Sequence, residues 1–308
     1  MEKIADSLFT LGDFGLPIFF VVGTTKSALI DASVAYMGPR FKRDLTLLAK
    51  SKQVILKKRR GADFLLFTHS HFDHVGCAPY FIRNFPDIQI GASKTFFSVF
   101  KRDGARKTIE MLNRKLVHAF EPESPIMAED FDYSPLANGV TLSDGEIINL
   151  GGGITIEVVA TPGHTRDSIS FYLPYLQAII TGEAIGILPG DGSYVSPEFL
   201  SSYDDYIASI HKVWAKKPAL IVPGHHARIE KNRIEAFFEF ALKNAEELKR
   251  KIERYLAEEA MDEEKVVSRI KDEEYLTLRL GKQPEEAYLK NLRAQVGLIR
   301  QTMEKTGG

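Results

Sequence analysis

Thr68-His69-Ser70-His71-Phe72-Asp73-His74-Val75-Gly76 decides how the chain is read. Three histidines and an aspartate fall within six residues. Just before them, Asp63-Phe64-Leu65-Leu66-Phe67 is a short apolar run bounded by Gly61, which predicts a buried strand. Just after them, Gly76-Cys77-Ala78-Pro79-Tyr80-Phe81-Ile82 predicts the first turns of a helix. The polar residues therefore occupy a strand-to-helix turn at the carboxyl end of a central strand. Open α/β sheets place their chemistry there. Neutral imidazole and carboxylate suit zinc, iron or manganese, and alternate residues of an extended turn can converge on one ion. His69 and His71 are two apart, so their rings can point the same way. Asp73 and His74 follow where the chain turns and can face a second ion.

The pattern His-x-His-x-Asp-His resembles the signature of the metallo-β-lactamase superfamily. Other pieces of that family's ligand set follow in the expected order. A Pro-Gly-His-Thr turn is present as Pro162-Gly163-His164-Thr165. An apolar strand ends in an acid at Ala178-Ile179-Ile180-Thr181-Gly182-Glu183, where the family normally has aspartate. A last histidine follows a strand and a glycine at Leu220-Ile221-Val222-Pro223-Gly224-His225. Five of the eight histidines thus fall on ligand positions. The resemblance implies an α/β fold, an αββα sandwich binding two divalent metal ions, zinc or iron, with manganese also suited. His69, His71 and His164 would hold the first ion, and Asp73, His74 and His225 the second. Glu183 would bridge, and Asp73 would orient a metal-bound hydroxide as the catalytic group. Asp31, at the end of a strand, resembles the family's acid that supports the ligands without binding metal.

The chain has 308 residues, 44% of them hydrophobic, with 40 basic and 41 acidic side chains. This is a globular composition, long enough for one large domain or a domain with an appendage. A formal net charge of −1 gives no general attraction to nucleic acid or anionic membrane. The lone Cys77 excludes an internal disulfide and fits a reducing, cytoplasmic setting. It reads as a small buried hydrophobe. Met1-Glu2-Lys3-Ile4 has no basic-then-apolar leader pattern, and no apolar run approaches ~20 residues.

Ile4–Leu8, Pro17–Val22 and Ser27–Asp31 predict strands of an antiparallel edge region. Phe41 to Leu56 contains an amphipathic helix, and Lys57-Lys58-Arg59-Arg60 reads as a solvated loop. Residues 76–120 are expected to be mostly helical, with a short strand at Ile88–Ile90 and Ile109, Leu112, Leu116 and Val117 at helical spacing. Residues 121–138 predict a long loop. Strands then follow at Thr141–Leu142, Ile147–Leu150, Ile154–Ala160, Ser168–Leu173 and Ala178–Thr181, a helix at Pro197–Trp214 and a strand at Ala219–Val222.

From about Arg228 the pattern is helical. Ile234, Phe238, Ala241, Ala245, Leu248, Ile252 and Leu256 form one apolar stripe, and Leu289, Leu292, Val296, Ile299 and Met303 another. Pro284-Glu285-Glu286 suits the start of the second helix. Val266, Ile270, Leu276 and Leu278 predict more helix between. The expected division is a catalytic core over 1–227 and a C-terminal helical cap over 228–308. The stripes are too apolar to stand in water alone.

Within the superfamily, the chain is similar to the quinolone signal response branch, thioesterase-like toward 2-aminobenzoylacetyl-CoA. Leu11-Gly12-Asp13, Ala78-Pro79-Tyr80, Leu112-Asn113-Arg114 and the helical tail carry this likeness. Phe72 replaces a tyrosine of that branch. The resemblance implies a hydrolase acting on an acyl thioester or related ester, with homodimerisation left open. Alternatives are a lactonase or other ester hydrolase, or a regulatory protein with a vestigial metal site. A nuclease of this fold is disfavoured by the balanced charge. No Gly-x-Ser-x-Gly elbow is present. His226 neighbours His225, while His118 and His211 read as ordinary helix or surface residues. Tyr288 and Asn291 are candidates for a substrate pocket.

Overall fold

A computed structural model describes residues 1–12, 15–50, 61–121, 123, 125–187, 194–225, 228–275 and 284–306. Asp13, Val54, Ile55, Lys57–Arg60, His226, Leu276 and Leu278, all named above, lie outside the described residues. One sheet has seven strands in the order β1 (Glu2–Ala5), β2 (Leu8–Leu11), β3 (Ile18–Val22), β4 (Ser27–Ile30), β5 (Phe64–Leu66), β6 (Gln89–Ala92) and β7 (Val140–Thr141). The first four pair antiparallel; β4 to β7 pair parallel. The second sheet has six strands: β8 (Ile147–Gly151), β9 (Ile154–Ala160), β10 (Ile169–Leu173), β11 (Ala178–Gly182), β12 (Leu220–Pro223) and β13 (Ile229–Glu230). Its strand order runs from β13 back to β8. Two sheets flanked in sequence by helices agree with the α/β class expected from the sequence. The helices are α1 (Gly38–Lys50), α2 (Phe72–Val75), α3 (Ala78–Asn84), α4 (Lys94–Phe100), α5 (Asp103–Phe120), α6 (Tyr203–Ala215), α7 (Lys231–Glu258), α8 (Glu263–Ile270) and α9 (Glu285–Thr306).

The chain forms two compact units. The first is Met1–Ala160 with Asp167–Ile180; the second is Thr161–Arg166 with Thr181–Gly308. In the first, β2, β3 and β4 are buried at every position, so both faces of the sheet are covered. Phe9, Leu11, Ile18, Phe20, Leu29 and Leu65 join Phe41, Leu45 and Leu48 of α1 in one core. In the second unit, every residue of the first predicted tail stripe, Ile234 to Leu256, is buried. Leu292, Val296 and Ile299 of α9 are buried as well.

Several expectations shift. Ile4–Leu8 is not one strand: Ser7 takes a φ of 65°, and the run breaks into the β1–β2 hairpin. The strand expected near Thr141 is β7, and it pairs with β6 in the first sheet. Residues 121–138 contain 3-10 turns at Ala128–Phe131 and Ser134–Ala137. The tail includes one short strand, β13, paired with β12. Pro197–Ser202 is not helical. Leu200, Ser201 and Ser202 spend their N–H groups on the Gly163 carbonyl, and Ser202 caps α6 through Asp205 N–H.

Asn113 pins the metal-motif turn to the helical layer of the first unit. It is fully buried; its Oδ1 accepts from Ala35 N–H at 2.8 Å and its Nδ2 donates to the Phe72 carbonyl at 3.1 Å. Asn113→Ala strands both backbone groups in a site closed to water. Each such group costs about 1–3 kcal/mol. Denaturant titration should show a loss of roughly 2–4 kcal/mol; a loss well under about 1 kcal/mol would contradict this role.

Candidate metal centre

In the first unit, the histidine motif hangs on Asp31. The carboxylate is buried at the end of β4, where the backbone turns with a φ of 62°. Aspartate tolerates this left-handed conformation better than most residues. One oxygen accepts from the Thr68 backbone N–H at 2.8 Å. The Thr68 hydroxyl lies 3.0 and 2.8 Å from the two oxygens and donates to the carboxylate. That hydroxyl oxygen can then accept from His69 Nδ1–H, 3.0 Å away. His74 Nδ1 lies 2.9 Å from the other Asp31 oxygen and donates to it. Both imidazoles are therefore fixed in the Nδ1–H tautomer, which leaves each Nε2 lone pair available to a metal ion.

Backbone bonds complete the support. Ala32 N–H donates to the His74 carbonyl and Gly76 N–H to the Ser33 carbonyl, both at 2.6 Å. Glycine is required at 76. A Cβ there would meet Asn113 Oδ1 at 2.4 Å and Val34 Cα at 2.5 Å. The rings of His69 and His71 lie 4.7 Å apart, and those of His69 and His74 4.2 Å. The ligand atoms of His69 and His71, of His69 and His74, and of Asp73 and His74 fall within 4.8 Å of each other. This cluster could hold a metal ion.

In the second unit, His164 Nδ1–H donates to the Glu198 backbone carbonyl at 2.7 Å, which again leaves the Nε2 lone pair available to a metal ion. His164 is placed by Gly163, whose φ of +129° is open to glycine and whose missing Cβ would meet the Tyr206 backbone at 2.3–2.4 Å. Glu183 follows β11 directly and is 4% exposed. Its Oε1 lies 2.8 Å from His225 Nε2 and its Oε2 3.7 Å from His164 Nε2. Two ligands with bonds of about 2.1 Å at a tetrahedral angle lie about 3.4 Å apart. The glutamate is thus long enough to serve both imidazoles, one oxygen to each. Gly224 N–H donates to the Gly182 carbonyl, tying the turn of His225 to that of Glu183.

The donor set fits a divalent transition ion: imidazole nitrogens with anchored second nitrogens, and carboxylates with no thiolate. Cys77 is buried, donates its S–H to the Val34 carbonyl, and has its thiol pushed up by burial, so it offers no nucleophile. His211 stacks on Trp214, and His118 sits exposed near the end of α5. Asn291 donates to the Glu198 carboxylate at 2.9 Å, and Tyr288 packs on Tyr275. The anchoring roles of Thr68 and the Glu198 carbonyl had no signal in the sequence: a threonine before the motif is unremarkable, and a backbone carbonyl has no residue type.

A family model described as Metallo-beta-lactamase superfamily matches residues 11–225, most of the chain. The chain belongs to the metallo-beta-lactamase superfamily. Members are generally hydrolases. Among curated proteins, it is 25% identical over 251 residues to the Beta-lactamase-like protein 2 homolog of Caenorhabditis elegans, covering 80% of this chain and 72% of that one. It is 26% identical over 166 residues to the atrochrysone carboxyl ACP thioesterase of Aspergillus fumigatus, covering 54% of this chain and 39% of the relative. Among solved structures, a metallo-beta-lactamase family protein from Thermus thermophilus aligns with a TM-score of 0.65 at 17% identity, covering 99% of this chain and 95% of that one. That likeness shows the shared fold. Among the described residues, no helix is long and apolar enough to cross a membrane.

Asp31→Asn keeps a side chain that tolerates the left-handed backbone but removes the charge that orders Thr68 and His74. Support residues of this kind typically change metal affinity by about 10–100-fold. Chelator competition with zinc should show a loss in that range, and unchanged affinity would contradict the anchoring role.

Proposed function

We propose that this superfamily member is a dinuclear metallohydrolase of acyl thioesters. His69, His71 and His164 would hold one ion, Asp73, His74 and His225 the second, with Glu183 shared. What carries this reading is Glu183: one oxygen faces His225 and the other His164, while the Nδ1 of His164 is committed to the Glu198 carbonyl. Each unit contributes only part of a ligand set, and metal sites of this type use three or four protein donors. The family model spans both parts.

When bound, divalent ions lower the pKa of a water toward 7 and polarise an acyl carbonyl. The chain's own residues do the rest. Asp73, half-buried in the first turn of α2, is the acceptor that orients the attacking water. Asp31 and Thr68 hold their imidazoles in one tautomer, so no proton has to leave Nε2 before a ligand bond forms. The thioester preference rests on the thioesterase among the relatives and on the likeness to the quinolone signal response branch. Two residues of one of that branch's motifs serve the fold here: Asn113 braces the metal turn, and Arg114 lies over the Phe131 ring at 4.1 Å. The substrate of that branch is therefore not carried over. The helices from residue 228 onward cap the segments they share a unit with. A single buried cysteine agrees with a reducing, cytoplasmic setting.

Metal-reconstituted protein should be assayed on a panel of acyl-CoA thioesters and lactones beside the His69→Ala/His71→Ala double variant. Thioester turnover should exceed lactone turnover. It should fall by at least about 10²–10³-fold in the variant, the range for losing one electrostatic stabiliser, with loss of bound metal by elemental analysis. Preferred lactone turnover would overturn the thioester reading. Full metal content without turnover would favour a regulatory role.

A further inference from the structure

The apolar stripes of the tail carry three amides that packing alone does not call for. Asn244 lies beside Ala241 and Ala245 in α7, and Asn291 and Gln295 flank Leu292 in α9. Asn244 and Gln295 are 7% and 4% exposed. A buried amide destabilises unless it is hydrogen-bonded, and an apolar residue of like volume would fill the same space. All three donate to one short segment. Asn244 Nδ2 reaches the Val195 carbonyl at 3.0 Å, Gln295 Nε2 the Pro197 carbonyl at 2.7 Å, and Asn291 Nδ2 the Glu198 carboxylate at 2.9 Å. The segment is held elsewhere too. Ser196 exchanges both backbone bonds with Ile187, and Glu198 N–H donates to the Tyr206 hydroxyl at 3.3 Å. The Glu198 carbonyl is the group that receives His164 Nδ1–H.

We propose that Asn244, Asn291 and Gln295 are positioning residues for the metal centre: through Val195–Glu198 they fix the carbonyl that sets the tautomer and aim of His164. The proposal rests on His164 being a ligand. The helical tail then has a task beyond burying its own apolar stripes, because it orders His164 through this segment. An imidazole without this acceptor divides between two tautomers, and only one presents Nε2 to an ion.

The test uses the full-length chain and zinc alone. Gln295→Met and Asn244→Leu conserve volume. Asn291→Ala removes a half-buried donor and guards against a variant that does not fold. Chelator competition should show zinc affinity reduced by about tenfold in Gln295→Met and Asn291→Ala, the lower end of the range for groups that orient ligands. The exposed Gln301→Ala should leave it unchanged. Nitrogen-resolved imidazole NMR of the metal-free protein should show His164 purely Nδ1-protonated in the wild type and mixed in Gln295→Met. In a His164→Ala background, the same substitutions should have no further effect on residual zinc affinity. Wild-type affinity and tautomer in both variants would overturn the proposal, as would an undiminished loss in the His164→Ala background, the mark of general loosening. If His164→Ala itself binds zinc like the wild type, the ligand assignment fails, and the proposal falls with it.

Discussion

The buried carboxylate of Asp31 is the constraint on which the metal turn depends. It gathers the Thr68 N–H, the Thr68 hydroxyl and His74 Nδ1, and through Thr68 it also governs His69. Hydrogen bonds to a charged group are worth about 1.5–3 kcal/mol each, so a carboxylate with this many donors can be held out of water. The strand register makes the arrangement available. Ile30 on β4 stands opposite Leu66 on β5, so the residues just past the two strand ends, Asp31 and Thr68, come together. A slip of one residue would turn each side chain to the other face and separate them.

The second donor set is anchored differently. His164 is held by a main-chain carbonyl, and that carbonyl by a segment tied to α7 and α9. Side-chain anchoring is compact and local. Carbonyl anchoring makes the ligand dependent on whatever fixes the backbone, here helices encoded some 80 to 130 residues later. The non-helical course of Pro197–Ser202 belongs to the same arrangement. Its N–H groups hold the Gly163 turn, and that use excludes them from a helix.

Much of this was legible in the sequence, for physical reasons. Five histidines, Asp73 and Glu183 stood out as candidates because metal-binding groups have residue types and follow strand ends at fixed spacings. The two tail stripes were legible because an amphipathic helix repeats every three to four residues; the first is buried throughout and the second at Leu292, Val296 and Ile299. Pro197–Ser202 was misread as helix because its non-helical course is set by a carbonyl at Gly163, far away in the chain. The β1–β2 break at Ser7 was missed, and the partner of β7 was not legible, for a related reason. Strand partners and single left-handed residues leave little trace in local composition. The glutamate at 183 was legible as a departure, but only its placement shows both oxygens facing imidazoles.

The central claim is that anchored imidazoles and carboxylates, without a thiolate, make the metal centre. X-ray absorption at the zinc edge of the loaded full-length protein tests it most directly. A nitrogen and oxygen shell at about 2.0–2.1 Å, with outer-shell scattering from two or more imidazoles per zinc, is the predicted result. A sulfur shell at about 2.3 Å, or a nitrogen and oxygen shell lacking imidazole scattering, would contradict it.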